Sequence, residues 1–160
     1  MAEDFADGEP VSVVLGYDII ENNICTGVDN FKSQKRGAET LLKEVSGAGR
    51  FGVAKIRGDS VISIEEEPRA PKSDYAVIGV YLYDPAVLPE DPPPDLEITG
   101  VNNFYAEEGA LTYEILDGWR TDAGTFESLL RANNLLADTD ANKMTVQSKT
   151  AVVATRELAR

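Results

Sequence analysis

Short apolar runs, rich in β-branched residues, divide the chain into predicted strands. Val11 to Gly16 favours a buried, parallel strand, and Ala38 to Val45 predicts a second strand. Two alternating runs, Phe51 to Arg57 and Val61 to Glu65, flank a Gly-Asp turn and predict a β-hairpin. The strongest run, Tyr75 to Tyr83, is apolar on both faces and therefore predicts a central strand.

Helical spacing of apolar residues predicts helices between and after these strands. Asn22 to Gln34 favours a short surface helix, and Leu96 to Glu108 favours a longer one that ends at Gly109. One more strand, Leu111 to Leu116, precedes the last strong helix, which we expect Thr125 to cap. Strands that alternate with helices predict an α/β or α+β domain with a mixed sheet.

The length of 160 residues fits a single domain. We place that domain at residues 1–137 and interpret 138–160 as a polar C-terminal tail, in which Ala151 to Leu158 predicts only a loose helix. The proline-rich stretch Pro85 to Pro94 predicts a stiff, extended connector between the central strand and the following helix.

The charge balance limits the partners of the chain. Asp and Glu number 28 against 15 Lys and Arg, so the formal net charge is −13. Such an acidic balance argues against nucleic acid as a partner. No apolar run is long enough to predict a membrane span. The acidic excess keeps two interpretations open, a self-repelling surface that favours solubility or adaptation to high salt.

Two residue counts limit the chemistry. A single cysteine, Cys25, cannot form an internal disulfide, which favours a reducing, cytoplasmic location. The sequence contains no histidine, so histidine-dependent triads and histidine–metal sites are excluded.

Two loops carry patterns associated with ligand binding. Gly47 to Gly52 matches G-x-G-x-x-G, but a strand follows it where a dinucleotide site needs a helix, so we interpret it as a loop between strands. Glu65, Glu66 and Glu67 end a strand before Pro68. They form either a solvated strand end or, because proline stops the ladder, carboxylates that face a cleft, attract a hard cation and repel phosphate.

Two aspartates lie where predicted strands end. Asp18 follows the first strand, and Asp122 lies three residues before the helix cap at Thr125. Ligands of open α/β sheets bind at the carboxyl ends of strands. The two carboxylates therefore predict a divalent-cation site if they face one crevice. For Asp122, a purely turn-forming role is an equal alternative.

Seven segments occur in the order and spacing of a known family: VVLGYDI, LLKEV, RFGVA, SIEEEP, PKSDYAVIGVYLYD, LEITGVN and WRTDAGTFESLLRANN. Over about Ala6 to Leu136, the chain resembles the sugar-1-phosphate nucleotidylyltransferases, especially the glucose-1-phosphate thymidylyltransferases. The resemblance implies a truncated Rossmann-like α/β fold with a mixed sheet. It also implies a Mg²⁺-dependent reaction in which a sugar 1-phosphate attacks a nucleoside triphosphate and pyrophosphate leaves.

The resemblance also implies roles for individual residues. Asp122 matches the aspartate that holds the metal, and Asp18 is a second candidate ligand. Four positions match residues that contact the sugar: Gly52, Glu66, Val77 and Tyr81.

The sequence departs from the family pattern at four places. Met1 to Glu9 contains nothing like the glycine-rich GGxGTRLxPLT loop that wraps the triphosphate. In the family motif LGDN, Tyr17 replaces the metal-binding aspartate, and Asp18 comes one place later. This shift reverses the direction of the aspartate side chain if the backbone stays extended. In EEKP, Glu67 replaces the lysine that holds the sugar phosphate, and Pro93 to Gly100 lacks the arginine of RGELEITD.

These departures lead us to expect that the isolated chain is inactive. One hypothesis is a split nucleotidylyltransferase, in which another polypeptide supplies the missing part. A second is a non-catalytic pseudoenzyme or regulatory remnant that assembles as a homo-oligomer or with a full-length paralogue. A third is sequence decay, since loss of sheet neighbours exposes an apolar edge.

Overall fold

The computed structural model describes residues 6–34, 36–85 and 96–138. Within them the strands are β1 (Val11–Val14), β2 (Asp18–Ile20), β3 (Ala38–Glu44), β4 (Gly52–Arg57), β5 (Ser60–Glu66), β6 (Tyr75–Tyr83), β7 (Leu111–Ile115) and β8 (Arg120–Asp122). The α-helices are α1 (Cys25–Ser33), α2 (Ile98–Glu107) and α3 (Phe126–Asp138), and a 3₁₀ turn covers Ala48–Arg50. The predicted terminal helix and all of the predicted connector except Pro85 lie outside the described residues.

Six strands form one mixed sheet in the order β1-β6-β3-β7-β5-β4. Strand β3 runs parallel to β7 and antiparallel to β6, which confirms the predicted mixed sheet. The β4–β5 hairpin forms around the predicted Gly58-Asp59 turn, and Val53 of β4 pairs back onto Ala76 of β6. Strand β6 therefore lies at the centre, as its uninterrupted apolar sequence predicts.

The prediction for the first strand is wrong in two respects. Strand β1 pairs antiparallel with β6, from Val11 opposite Tyr83 to Val14 opposite Val80, and it is not parallel. It lies at the edge of the sheet in the described part of the chain, and 55% of Val14 is exposed. The apolar pattern failed here because a short, mostly apolar run gives neither the direction of pairing nor the number of neighbouring strands.

The core lies on both faces of the β3–β6 pair. Leu42 on one face packs with Tyr105 of α2, while Leu41 and Ile78 pack together on the other face, and all four are fully buried. Burying an aliphatic side chain of this size contributes about 1.5–3 kcal/mol, so this pair of strands contributes strongly to the stability of the domain.

A bulge interrupts the β3–β6 pairing in the middle of the core. The register changes from Thr40 opposite Tyr81 to Leu42 opposite Val77. At the bulge Gly79 has φ +67°, in the left-handed region that glycine tolerates best. A Cβ built at Gly79 would overlap Oδ2 of Asp18. The bulge therefore makes room for a carboxylate beside the central strand.

A second, two-stranded sheet was not predicted from the sequence. Strand β2 pairs antiparallel with β8, and the register places Asp18 directly opposite Asp122. Each strand has only three residues, too few for a visible alternation of apolar and polar positions.

The helix ends follow the predicted caps. Helix α2 ends before Gly109, which has φ +68° and donates its N–H to the Ala106 carbonyl at 3.1 Å. At α3, the Thr125 hydroxyl accepts the Ser128 N–H at 3.1 Å, as expected of an N-cap. The longest of the described helices has 13 residues. None of these helices is long and apolar enough to cross a membrane.

Candidate active site

The six residues assigned from the sequence line one open cleft of about 390 Å³. The end of the β4–β5 hairpin, strand β6 and the β2–β8 ribbon surround this cleft. Its wall includes the candidate metal and sugar positions Asp18, Gly52, Glu66, Val77, Tyr81 and Asp122. Residues up to 104 positions apart in the sequence therefore meet at one surface, although their roles are still predictions.

Asp18 reaches the cleft because the chain turns after β1. Its N–H donates to the Leu15 carbonyl at 3.0 Å, so the backbone is not extended between the two strands. The carboxylate is only 2% exposed and forms an ion pair with Arg120 of β8. Arg120 Nε donates to Oδ1 of Asp18 at 2.8 Å, and Nη2 donates to the same oxygen. Within the described residues, Oδ2 of Asp18 is buried and has no partner.

Burial sets the protonation behaviour of Asp18. Loss of hydration raises the pKa of this carboxyl above its ordinary value, and the nearby Asp122 carboxylate raises it further. The Arg120 guanidinium acts in the opposite direction, by its charge and its hydrogen bond, and offsets only part of the rise. A second positive charge at this place would stabilise the ionised form.

Asp122 lies at the start of the turn into α3. Its Oδ1 accepts the Gly124 N–H at 3.1 Å, so the turn-forming role considered for Asp122 is present in the fold. The Ser128 hydroxyl and the Gly124 amide lower the pKa of Asp122, with burial acting against them. Asp122 is therefore a readily ionised carboxylate opposite Asp18.

Glu66 crosses the floor of the cleft over Gly52. The two residues are register partners, and a Cβ at Gly52 would lie 2.8 Å from Oε1 of Glu66. Oε1 also accepts the Thr99 hydroxyl at 2.5 Å, which fixes the carboxylate from the side of α2. Within residues 6–34, 36–85 and 96–138, the other oxygen of Glu66 has no hydrogen-bond partner and can accept from a ligand, and glycine at position 52 is needed for the close approach.

Val77 and Tyr81 lie on β6 on either side of the bulge. Tyr81 is 4% exposed, and burial raises the pKa of its hydroxyl, with the Glu66 carboxylate as the next cause. A neutral phenol and an aliphatic side chain beside a carboxylate give one half of the cleft an apolar wall with a polar edge.

Two arginines on one aromatic ring supply positive charge to the cleft. The guanidinium carbons of Arg50 and Arg120 lie 5.6 Å and 5.2 Å from the centroid of the Phe51 ring, close enough for cation–π attraction. Within the described part of the chain, Arg50 has no ion pair of its own. Both arginines and Phe51 were missed, because the sequence shows neither that Phe51 lines a cleft nor that Arg120 reaches Asp18.

The glutamates at the end of β5 separate into two groups. Glu65 faces away from the cleft and pairs with Lys72 at 3.3 Å on the surface. Glu66 and Glu67 line the cleft. Glu67 has φ +42°, and its N–H donates to the Phe51 carbonyl at 3.1 Å, which ends the strand.

The donor set for a metal is small. Among the described residues there is no cluster of three or more acidic, cysteine or histidine side chains. The register pair Asp18 and Asp122 brings two carboxylates together at the cleft, and within the described part of the chain Oδ2 of Asp18 is buried without a partner. Two carboxylates suit Mg²⁺, which commonly takes its remaining ligands from water and substrate phosphates.

The family model described as nucleotidyl transferase matches residues 1–139 of the chain. This protein belongs to the nucleotidyl transferase family. Within the family it falls among the sugar-1-phosphate nucleotidyltransferases, as the resemblance of its motifs predicts.

Two sequence relatives support the assignment of this chain to the nucleotidyl transferase family. It is 35% identical to the glucose-1-phosphate thymidylyltransferase of Neisseria meningitidis, over 82% of this chain and 49% of that protein. It is 33% identical to the low-salt glycan biosynthesis nucleotidyltransferase Agl11 of Haloferax volcanii, over 86% of this chain and 41% of that protein. The chain thus spans about half the length of the curated relatives it matches.

Solved structures agree on the fold of the nucleotidyl transferase. A Bacillus anthracis protein assigned as a glucose-1-phosphate thymidylyltransferase, in complex with sucrose, superposes with a TM-score of 0.80 at 46% identity, over 86% of this chain and 58% of that one. The UDP-glucose pyrophosphorylase of Acinetobacter baumannii has the same fold at 16% identity, with a TM-score of 0.75 over 84% of this chain and 53% of that one. The Rossmann-like α/β fold is confirmed.

Proposed function

We propose that this chain is the sugar-phosphate- and cation-binding part of a glucose-1-phosphate thymidylyltransferase-type enzyme, and that the 160-residue chain alone does not transfer nucleotides. The supporting observation is the single cleft that gathers the residues assigned to sugar and to metal. The whole reaction, a nucleoside triphosphate plus a sugar 1-phosphate giving a nucleotide sugar and pyrophosphate, is part of this proposal.

The sugar side of the cleft is proposed to be the Glu66 region. The Glu66 carboxylate, held by Thr99 and lying over Gly52, accepts hydrogen bonds from sugar hydroxyls. Val77 and Tyr81 cover the less polar face of the ring. This combination of one fixed acceptor with an apolar wall suits a neutral pyranose.

The metal side is proposed to be the Asp18–Asp122 pair. When bound, Mg²⁺ supplies charge neutralisation for the phosphates that meet in the reaction. Asp122 offers an ionised carboxylate, and Asp18 offers the buried oxygen Oδ2. The chain's own role is to hold these two acceptors at the edge of the sugar pocket.

The charge of the cleft supports the proposal that the chain alone is inactive. Four carboxylates line it, Asp18, Asp122, Glu66 and Glu67, against the two cations Arg50 and Arg120. One of the two cations is already engaged by Asp18. Phosphorylated reactants therefore meet a net negative surface among the described residues, and Glu67 stands where the family pattern has a lysine.

Calorimetric titration with glucose 1-phosphate in the presence of Mg²⁺ tests the proposal. We expect binding by the intact chain and a loss of at least about tenfold in affinity for Glu66→Gln, because the amide replaces one carboxylate oxygen by an NH₂ donor and removes a charged acceptor worth on the order of 1.4 kcal/mol or more. The matched control is Glu65→Gln, which removes one charge from the neighbouring residue that faces away from the cleft. We expect it to change the affinity by less than about twofold, as surface ion pairs contribute little.

Release of pyrophosphate from dTTP and glucose 1-phosphate tests the second half of the proposal. We expect no release above background from the isolated chain. Steady release would refute the inactivity, and absence of glucose 1-phosphate binding would refute the assignment of the cleft.

A further inference from the structure

Asp18 is a buried carboxylate that uses only one of its two oxygens. Oδ1 accepts hydrogen bonds from Nε and Nη2 of Arg120, while Oδ2 is buried without a partner in the described part of the chain. The bulge at Gly79 leaves the space that Oδ2 occupies, since a Cβ there would overlap this oxygen. Buried acceptors are rarely left unpaired, and an ion or water is the usual partner when the protein provides none.

Arg120 shares one face of the β2–β8 ribbon with both candidate metal ligands. On β8, Arg120 and Asp122 are two residues apart, so their side chains project to the same face. Asp18 lies directly opposite Asp122 across the ribbon and therefore on that face too. One guanidinium thus lies with two carboxylates, and its side chain is only 10% exposed. It supplies the positive charge that this buried group needs.

Phe51 gives the Arg120 guanidinium a second contact on the cleft side. The guanidinium carbon is 5.2 Å from the ring centroid, and Phe51 itself lines the cleft. A guanidinium that leaves Asp18 while keeping this ring contact faces the cavity, where the phosphate group of a ligand is expected.

We propose that Arg120 occupies the cation position at Asp18, so that a divalent cation and the guanidinium compete for this carboxylate, and that the displaced guanidinium then contacts phosphate. This inference rests on the proposed function, in which Asp18 and Asp122 hold Mg²⁺. A divalent cation between two carboxylates repels a neighbouring guanidinium, which is the physical reason for the exchange. Arg120 is thereby a positioning residue in the absence of metal and a phosphate-binding residue in its presence.

The first test is the affinity for a metal alone. We expect Arg120→Met to bind Mn²⁺ at least about tenfold more tightly than the unmodified chain, as measured by the free Mn²⁺ signal in electron paramagnetic resonance. The matched control is Arg50→Met, which removes the same charge from the same ring without touching Asp18. We expect less than about a threefold change in this control. Equal changes in both variants would overturn the competition and leave only a general charge effect.

A second measurement follows the competition in the unmodified chain. It therefore still applies if Arg120→Met does not fold. In the unmodified chain, the Nε–H resonance of Arg120 reports its bond to Asp18. The signal is assigned with Arg120→Lys, which keeps the charge. We expect Mg²⁺ to shift this resonance and to increase its exchange with water. Mg²⁺ binding that leaves the resonance unchanged would overturn the inference.

The third test concerns the phosphate contact and separates this inference from the proposed function. With Mg²⁺ present, inorganic pyrophosphate should bind the unmodified chain about tenfold more tightly than Arg120→Met, and without Mg²⁺ the two should not differ. Metal competition without any binding of glucose 1-phosphate would support the inference and refute the sugar site. Glucose 1-phosphate binding with no Mn²⁺ binding to either chain would keep the sugar site and refute both the metal site and the inference.

Discussion

Two buried carboxylates in this fold have opposite surroundings. Asp18, in the cleft, pairs with the Arg120 guanidinium. Glu39, near the start of β3, is 1% exposed, and among the described residues it accepts hydrogen bonds only from neutral groups, Gln34 at 3.1 Å and Thr112 at 3.3 Å. Burial raises the pKa of Glu39 to about 7, with the neighbouring Glu114 carboxylate as a further cause. Burial raises the pKa of both carboxyls; at Asp18 the charge of a guanidinium offsets part of the rise, whereas the hydrogen bonds that act against it at Glu39 come from neutral groups.

The largest expected effect follows from removing the cation that distinguishes the two sites. Arg120→Met leaves Asp18 buried and unpaired, and we expect it to lower the free energy of unfolding by about 3–5 kcal/mol at neutral pH in urea denaturation. The loss should be smaller at lower pH, because Asp18 can then be protonated.

The control for this variant is Lys72→Met. Lys72 pairs with Glu65 at the surface, and 63% of its side chain is exposed. We expect a change of less than about 0.5 kcal/mol. Equal losses in Arg120→Met and Lys72→Met would show that the cleft pair carries no special energy and would remove one side of the comparison.

The second largest effect concerns Glu39. Its pKa is about 7 in the folded chain against an ordinary value of 4.5. Between these pH values the folded chain therefore keeps a proton that the unfolded chain has released. Its contribution to stability is complete below about pH 4.5 and is lost as the pH rises through 7, which amounts to about 3 kcal/mol. Urea denaturation across this range should show the decline in the unmodified chain. Glu39→Gln, which cannot ionise, should abolish most of it.

A stability curve for Glu39→Gln that is parallel to that of the unmodified chain would contradict the neutral surroundings ascribed to Glu39. In that case other carboxylates would carry the pH dependence.

The third effect separates the bulge at Asp18 from an ordinary turn. Gly79→Ala introduces a Cβ that overlaps the Asp18 carboxylate, at φ +67°. Gly58→Ala has nearly the same backbone strain, with φ +58°, but meets nothing within 4 Å. We expect Gly58→Ala to cost about 1 kcal/mol from the backbone conformation alone, and Gly79→Ala to cost about 2 kcal/mol more from the clash.

Thermal or urea denaturation of the two alanine variants measures this difference. If they are equally destabilised, the close contact between Gly79 and Asp18 is not a constraint, and the bulge has no role in placing the carboxylate.

The sequence predicted what local patterns encode and missed what distant residues create. The hairpin at Gly58-Asp59, the central strand β6 and the Thr125 cap depend on neighbours within a few residues, and all three are confirmed. The Asp18–Arg120 pair joins residues 102 positions apart, and no local sequence pattern predicts it. The antiparallel direction of β1 was missed for the same reason, since it depends on β6 rather than on the apolar run itself.

The cleft shows the same division. The family motifs single out six positions that the fold brings to one cleft, because a family resemblance carries information about long-range contacts, and their roles stay predictions. The assigned positions do not include Arg50, Arg120 or Phe51. The contacts of these three residues at the cleft become evident only from the fold. Glu39 is one residue of a predicted strand in the sequence, and its burial becomes visible only when α1, β3 and β7 pack together.

The most direct measurement of the central claim is a map of backbone amide shifts on addition of glucose 1-phosphate and Mg²⁺. Three glycines line the cleft, Gly52, Gly79 and Gly124, and glycine amides are well separated in nitrogen–proton correlation spectra. We expect these three to shift together as ligand is added, while Gly58 and Gly109, which do not line the cleft, stay in place. Unchanged cleft glycines at saturating ligand, or shifts centred on Gly58 and Gly109, would contradict the assignment of this cleft as the sugar-phosphate and cation site.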